Sequence, residues 1–327
     1  MANRESDGRR YRHNLQGLLQ MAADNSDDPQ ADTSSVFQEM SEERREWLQE
    51  ALSSITEDTY VKSMMTHLQT IDKPENDNGD DILSEKEDAF EGLADIVDNL
   101  DNANDFHKIG GFHVMIKCLS SEHSSIRWRA ADTLAVCVQN NPYCQKAALE
   151  MNILPILSSL LDTDHSVEVR IKALFAVSGL TRLQEEAFLK ADGFSLLIRA
   201  MQAENDKLIT KSAFMLRHML VTNPSHKDAL FKMGFIEQLV GLLHASQKSS
   251  HEHVIGLLVY FVTDYPQGIK ECHRPEFNLK ELLKTKIAAM KEEDPDRYEE
   301  AILNCQKLQN ICFDKARQPD AGSNSLR

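Results

Sequence analysis

Few residues of this sequence have the type and spacing that catalysis or metal binding requires. His251 and His253 flank Glu252, but the zinc-protease motif needs its two histidines one helical turn apart. Histidines two residues apart point to different sides of a helix, so an ordinary polar helix start is the favoured interpretation. The sequence contains neither a glycine-rich phosphate loop of the GxxxxGK type nor a nucleophile elbow. We therefore expect a protein that is not an enzyme and that holds no metal and no cofactor.

The cysteines and the hydropathy pattern indicate where the protein works. The six cysteines include no CxxC pair, and they are Cys118, Cys137, Cys144, Cys272, Cys305 and Cys312. Such scattered cysteines are typical of reduced, buried thiols. Residues 1–12 contain no apolar signal region, and no stretch approaches the roughly 18 uninterrupted apolar residues of a membrane span. The sequence thus predicts a cytosolic protein, with the nucleus as a second compartment.

The charge balance limits the classes of partner. The chain has 36 Lys and Arg against 52 Asp and Glu, which gives a formal net charge of −16. Nucleic acids and anionic membranes need a basic surface, which releases counterions or meets lipid headgroups. We therefore expect no nucleic acid and no membrane as partner. The chain is further expected to be a monomer.

The periodic residues belong to an internal repeat of 41 residues. One register steps through Gly111, Asn152, Gly193 and Gly234, each followed by Phe112, Ile153, Phe194 or Phe235. An apolar register contains Leu93, Leu134, Phe175, Leu216 and Leu257. A basic register contains Arg129, Arg170 and Lys211. A period near 40 with apolar residues at helical spacing predicts stacked helical repeats, because each unit leaves apolar faces that its neighbours cover.

Each unit is predicted to contain one long helix and two short ones. A long helix over residues 126–139 ends near Pro142, a short helix covers 144–151, and another over 154–161 leads into a polar turn. The Gly or Asn between the short helices indicates either a close helix–helix corner or a left-handed backbone. This pattern resembles the armadillo repeat. We predict an all-α, armadillo-like helical repeat solenoid with a flexible N-terminal segment and a C-terminal capping helix over 298–313.

Composition divides the chain into five segments. Residues 1–39 are polar around one apolar island and are predicted to be disordered. Residues 40–71 are a predicted helical N-terminal region, and 72–83 a predicted acidic linker, for which a solvated spacer is favoured over an interaction motif. Residues 84–313 hold the repeats, and 314–327 form a predicted disordered tail.

The long helices lack a known peptide-binding pattern. Armadillo arrays that bind extended peptides carry a ladder of Trp and Asn there. The Trp positions hold Asp132, Ala173, Phe214 and Ile255, and the Asn positions hold Val136, Val177, His218 and Val259. This departure disfavours a nuclear-import adaptor or a catenin-like scaffold, and it favours a concave surface that embraces a folded domain.

Six segments between about residues 14 and 313 resemble a known family. They are NLQGLLQM (14–21), MSEERR (40–45), DNANDF (101–106), RWRAA (127–131), VRIKALFA (169–176) and DYPQG (264–268). The family is that of the armadillo-type cytosolic nucleotide exchange factors of the 70-kDa heat-shock chaperone. The N-terminal flank and residues 72–81 diverge from it. The resemblance implies a concave face that holds the second lobe of the chaperone's ATPase domain and opens its cleft, so that ADP leaves and ATP enters. An armadillo scaffold that tethers a folded partner without promoting exchange is the alternative.

The resemblance also implies contact residues at the ends of the long helices. Asn102 and Ala103 are expected in the turn that ends the first long helix and to touch the chaperone, although a plain helix terminus would also explain them. Arg182 is expected at a concave rim, the alternative being a cation that compensates the helix dipole.

Two further sets of residues have alternative interpretations. Arg129, Arg170 and Lys211 form either a basic strip that binds the partner or cations that pair with the preceding repeat. Phe214 and Trp128 lie near the inner face, where they either touch the partner or pack in the core.

The apolar island near the N-terminus follows three arginines, and its apolar residues are Leu15, Leu18, Leu19 and Met21. A short apolar run beside basic residues is what clients offer to the chaperone's peptide groove. The resemblance implies that this segment hinders rebinding of released client. An amphipathic helix that docks on the body of the protein is the alternative.

Overall fold

The computed structural model describes residues 60–74, 79–245 and 249–314, with the backbone alone described at 79 and 80. All belong to the second of two compact units, Asp58–Arg327, the first being Met1–Glu57. The predicted segment 1–39 with Leu15, Leu18, Leu19 and Met21, most of the predicted region 40–71, and the tail from 315 lie outside the described residues. Every regular element in the described ranges is helical. None of these helices is long and apolar enough to cross a membrane.

The long helices stack in chain order. They are α2 (Gly79–Val97), α5 (Ser124–Val138), α8 (Val167–Leu180), α11 (Asp206–Thr222), α14 (His251–Val262) and α17 (Glu299–Phe313). Each packs against the next one, as repeats do when every unit covers its neighbour's apolar face.

Two short helices follow each long one as far as α14. The first of each pair is α3 (Leu100–Lys108), α6 (Pro142–Glu150), α9 (Glu185–Lys190), α12 (His226–Lys232) or α15 (Pro266–Glu271). The second is α4 (Gly111–Cys118), α7 (Ile153–Thr163), α10 (Gly193–Met201), α13 (Phe235–His244) or α16 (Leu279–Glu293). A 3₁₀ turn, Pro275–Phe277, precedes α16. The predicted all-α array of three-helix units is confirmed.

The corner between the two short helices of a unit occurs in two backbone forms, which differ in the residue that is left-handed. Asn152 (φ 54°) and Gly234 (φ 71°) are themselves left-handed, as the left-handed explanation expects. Gly111 and Gly193 are not. There the left-handed residue is the preceding one, Gly110 or Asp192, and a Cβ on the following Gly would come within 2.5 Å of the Phe106 or Phe188 ring. Both sequence explanations are therefore correct, each in different repeats.

The N-terminal boundary of the array differs from the prediction. Helix α1 (Tyr60–Ile71) buries Met64, Leu68 and Ile71 and packs against α2, so it belongs to the array rather than to a separate region. Helix α2 begins at Gly79, inside the predicted linker 72–83 and before the predicted start of the repeats at 84. Acidic residues such as Asp81 are favourable in the first turn of a helix, so the charge run that suggested a linker also suits a helix start.

The apolar register forms the core, with one exception. Leu93, Leu134, Leu216 and Leu257 are buried, whereas Phe175 at the same repeat position is 41% exposed. All six cysteines are buried and free, as predicted for reduced thiols. The array thus keeps its core periodic while one aromatic ring on α8 reaches the surface.

Candidate functional site

Aromatic rings and cations meet between successive long helices. Lys172 on α8 lies 5.7 Å from the ring centroid of Trp128 on α5. Lys211 on α11 lies 4.6 Å from that of Phe175 on α8. His253 on α14 stacks at 4.8 Å on Phe214 of α11. We call the surface formed by these contacts the long-helix face. It brings lysine side chains against partly exposed aromatic rings, and aromatic residues are enriched in protein interfaces.

A cavity of about 170 Å³ opens between α8 and α11 on this face. The residues of its lining that matter here are Arg182, Glu185, Lys211, Phe214, His218 and Met219. Phe214 is half exposed, so the structure places its ring at the surface rather than in the core. The cavity is smaller than a typical small-molecule site and has the size of a side chain.

The cations of this cavity have no carboxylate partner among the described residues. Arg182 donates from Nη1 to Oδ1 of Asn140 at 2.6 Å, and Lys211 faces the Phe175 ring. Burial lowers the pKa of Lys211, and the nearby Arg182 charge lowers it further. Glu185 is already engaged, because its Oε1 accepts a hydrogen bond from Nε2 of His226 at 2.9 Å. The cavity therefore holds two cations that are not ion-paired to a carboxylate within the described residues.

The other two members of the basic register have structural partners. Arg129 is 13% exposed, and its Nη2 lies 3.3 Å from Oε2 of Glu87 on the preceding long helix. Arg170 donates from Nε to the carbonyl oxygen of Leu161 at 2.8 Å, at the end of α7. Arg129 therefore pairs with the preceding repeat, as one of the two sequence interpretations expects, and Arg170 contacts a helix end. A partner-binding role of the basic register stays a prediction.

The sequence itself explains why Lys211 lacks such a pair. The positions on α8 that correspond to Glu87 and Glu91 of α2 hold Val169 and Ala173. Since both replacements are apolar, α8 offers no carboxylate to the cation on the following helix.

Asn102 and Ala103 lie elsewhere than expected. They belong to the helix α3 rather than to a turn. Nδ2 of Asn102 donates to the carbonyl oxygen of Ile96 at 3.0 Å and so satisfies the end of α2. Ala103 is 1% exposed, and its carbonyl oxygen lies 3.5 Å from Sγ of Cys144. The predicted turn is therefore not formed at these residues and the Ala103 methyl group packs in the core, whereas their contact with a partner stays a prediction.

Sequence reasoning missed part of this site. The repeat pattern places Phe175 in the core register, and nothing in its apolar character distinguishes it from the buried Leu134. The sequence marks His218 only as a departure from the Asn ladder. A usable signal was present in Phe214 and His218, which are aromatic and polar residues one turn apart at the positions where peptide-binding arrays carry Trp and Asn.

The segment His251-Glu252-His253 forms the start of a helix. His251 begins α14 after Ser250, in agreement with a polar helix start. No cluster of three potential metal ligands occurs in the ranges that the structure describes.

Comparison with known proteins identifies the family to which the chain belongs. Residues 15–106 match the family described as nucleotide exchange factor Fes1, and residues 102–185 match the SIL1/FES1/HPBP1 C-terminal domain. Hsp70-binding protein 1 of Homo sapiens is 42% identical over 92% of this chain and 85% of its own length. The chain belongs to the Hsp70-binding protein 1 family.

More distant matches agree with the family and the fold. The Hsp70 nucleotide exchange factor fes1 of Schizosaccharomyces pombe is 29% identical over 46% of this chain and 54% of its own. A designed armadillo repeat protein superimposes with a TM-score of 0.57, at 18% identity over 76% of this chain and 98% of its own. The similarity to the designed protein concerns the fold alone, and it confirms the armadillo-like architecture of the chain.

Proposed function

We propose that this chain is a nucleotide exchange factor of the cytosolic 70-kDa heat-shock chaperone, Hsp70. It binds the chaperone's ATPase domain through the long-helix face and promotes release of ADP and discharge of client. The observation that supports this most is the open cavity between α8 and α11, where Arg182, Lys211 and Phe214 lie on the surface of a chain in this family. Exchange needs no catalytic group, and the chain acts as a monomer in the cytosol.

Exchange requires a difference in affinity between two states of the chaperone. A ligand that binds both states equally shifts nothing, whereas moving a two-state equilibrium from one side to the other takes about 5 kcal/mol of differential affinity. A rigid stack of helices can supply this difference, because it fits the open ATPase domain and clashes with the closed one. An interface of about 1,600 Å² is sufficient in area.

The apolar island Leu15, Leu18, Leu19 and Met21 has a separate role in this proposal. It hinders rebinding of released client, as its composition beside three arginines suggests. Removal of residues 1–39 is then expected to leave ADP release intact and to slow net client release.

Stopped-flow release of fluorescent ADP from Hsp70 tests the main proposal. Both the full chain and a fragment of residues 58–314 are expected to accelerate release, since the fragment keeps α1 and the whole of α2. A chain that binds Hsp70 without changing the ADP release rate would instead be a tethering scaffold.

A further inference from the structure

The cavity between α8 and α11 contains two cations that the fold leaves without a counter-ion. Lys211 is half-buried, and burial lowers its pKa, which the charge of the nearby Arg182 lowers further. Neither is ion-paired to a carboxylate within the described residues, in a chain whose net charge is −16. Holding two like charges together at a partly buried position is unfavourable, and an added negative charge would relieve this repulsion.

The walls of the cavity define the shape of the group that fits. Phe214 and Met219 form apolar walls, while His218 and Thr181 add polar atoms. Two cations beside apolar walls suit a short carboxylate whose methylene groups contact the ring and thioether. The volume of about 170 Å³ has room for one side chain.

We propose that this cavity is the anchor site for a single Asp or Glu side chain of the partner, held between Arg182 and Lys211. The inference rests on the proposed function, because the partner is the ATPase domain of Hsp70. The interface thereby gains a charge-assisted contact at a fixed position, which determines the register in which the partner lies on the long-helix face.

A polyanion is a poorer ligand than one carboxylate. Arg129, Lys172 and Arg199, which could extend a basic track, are paired with Glu87, Asp132 and Asp162. The charges of these three cations are therefore already compensated by carboxylates of the chain itself.

Calorimetric titration of the full chain with the Hsp70 ATPase domain tests the anchor. Lys211→Met keeps an unbranched apolar side chain over Phe175, and Arg182→Gln keeps a hydrogen-bond donor toward Asn140. Each is expected to raise Kd about 10- to 100-fold, the range for hydrogen bonds to charged groups. The double variant is expected to lose less than the product of both, since both cations contact one carboxylate. Lys232→Met on α12 removes an exposed charge outside the cavity and is expected to change Kd less than twofold.

A second measurement identifies the ligand directly. A carbodiimide joins an amine to a carboxylate in contact, so a cross-linked peptide containing Lys211 and an Asp or Glu of the ATPase domain is expected. Lys211→Arg is expected to keep binding within about threefold while abolishing this cross-link.

The possible outcomes distinguish the failure of the proposed anchor site from the failure of the proposed exchange function. If the wild-type chain binds and accelerates ADP release but both cavity variants stay within twofold, the anchor is wrong and the function stands. Equal weakening by Lys232→Met shows a general charge effect and also overturns the anchor, as does weakening without any Lys211 cross-link. A wild-type chain that neither binds Hsp70 nor accelerates release overturns the proposed function itself.

Discussion

Arg129 on α5 and Lys211 on α11 occupy the same repeat position but face different neighbours on the preceding long helix. Arg129 meets Glu87 on α2, at 3.3 Å between Nη2 and Oε2, and is largely buried. Lys211 meets the ring of Phe175 on α8, because α8 carries Val169 where α2 carries Glu87. We call the contact between α2 and α5 the closed junction, because an internal ion pair neutralises its cation. The contact between α8 and α11 is the open junction, because Lys211 there has no carboxylate partner among the described residues. A repeated residue thus forms an ion pair in one repeat and contacts an aromatic ring in another, according to what lies opposite, and we propose that the second serves binding.

The difference between Arg129 and Lys211 leads to a general expectation. Substitutions of buried or internally ion-paired residues should lower stability, whereas substitutions at the open junction should weaken binding. Ala103→Arg should have the largest effect, because it forces a long charged side chain into a core position that is 1% exposed. A loss of roughly 4 kcal/mol or more in the free energy of unfolding is expected in urea denaturation. Leu100→Arg on the same helix is the control, since Leu100 is exposed and should change stability by less than about 0.5 kcal/mol. Equal stability of the two variants would contradict the core placement.

Arg127→Met should come next. Arg127 makes two hydrogen bonds to Asp164, from Nε at 2.7 Å and from Nη2 at 3.0 Å, and the two side chains are only 15% and 5% exposed. Removing one partner of such a pair costs about 3 kcal/mol, because a buried charge is left uncompensated. Arg199→Met is the matched control, since the Arg199–Asp162 pair is more exposed, and about 1 kcal/mol or less is expected. Neither change should alter the Kd for the ATPase domain measured on folded protein.

The Arg127 effect should depend on pH. Burial would raise the pKa of Asp164, but the hydrogen bonds from Arg127 and from the Ser166 amide, with the Arg127 charge, lower it below the ordinary value of 3.8. A lowered pKa contributes stability that is present above pH 3.8 and is lost as the pH falls through the folded-state pKa. The stability difference between wild type and Arg127→Met should therefore be largest near neutral pH and shrink below about pH 4. A difference that stays constant in urea denaturation at lower pH would show that the pair is not electrostatic in origin.

Phe214→Ala probes the open junction. Its ring is half exposed and stacks on His253, so its removal should leave the melting temperature nearly unchanged. Loss of an aromatic contact should weaken binding to the ATPase domain by about 1 to 3 kcal/mol. Tyr60→Ala, which removes an exposed ring on α1, should leave the affinity unchanged. If both variants bind like the wild type, the long-helix face near α11 is not the interface.

Arg129→Met should have the smallest effect of the series. It tests the difference between Arg129 and Lys211 most directly, because both occupy the same repeat position. It removes the counterpart of Lys211 at the closed junction and should cost about 1 kcal/mol of stability. Its affinity for the ATPase domain should equal that of the wild type in calorimetric titration, in contrast to Lys211→Met. Loss of affinity in both variants would show that the two junctions act alike.

Periodicity predicted the array, its helices and most of its core, because each repeat solves the same packing problem. It could not predict the position of Ala103, since a small residue suits a turn and a tight helix contact equally well. It also could not separate Phe175 from Leu134, which share a register and differ only in what covers them. The cavity combines Arg182, which follows α8, with Lys211 and Phe214 on α11. Their proximity follows from the packing of two repeats and cannot be predicted from the sequence of one repeat alone.

The corners between the short helices reveal a longer unit than the repeat itself. The left-handed residues Gly110, Asn152, Asp192 and Gly234 are separated by alternating steps of 42, 40 and 42 residues. The first and third corners press a Gly against a Phe ring five residues earlier, and the second and fourth do not. Over these four corners the backbone pattern repeats every two units, whereas the fifth corner, at Asn278, follows Gly234 after 44 residues and departs from the alternation. Exchanging one of these four units for its neighbour would therefore place the other type of corner at the join, whereas exchanging a pair would keep both types in order.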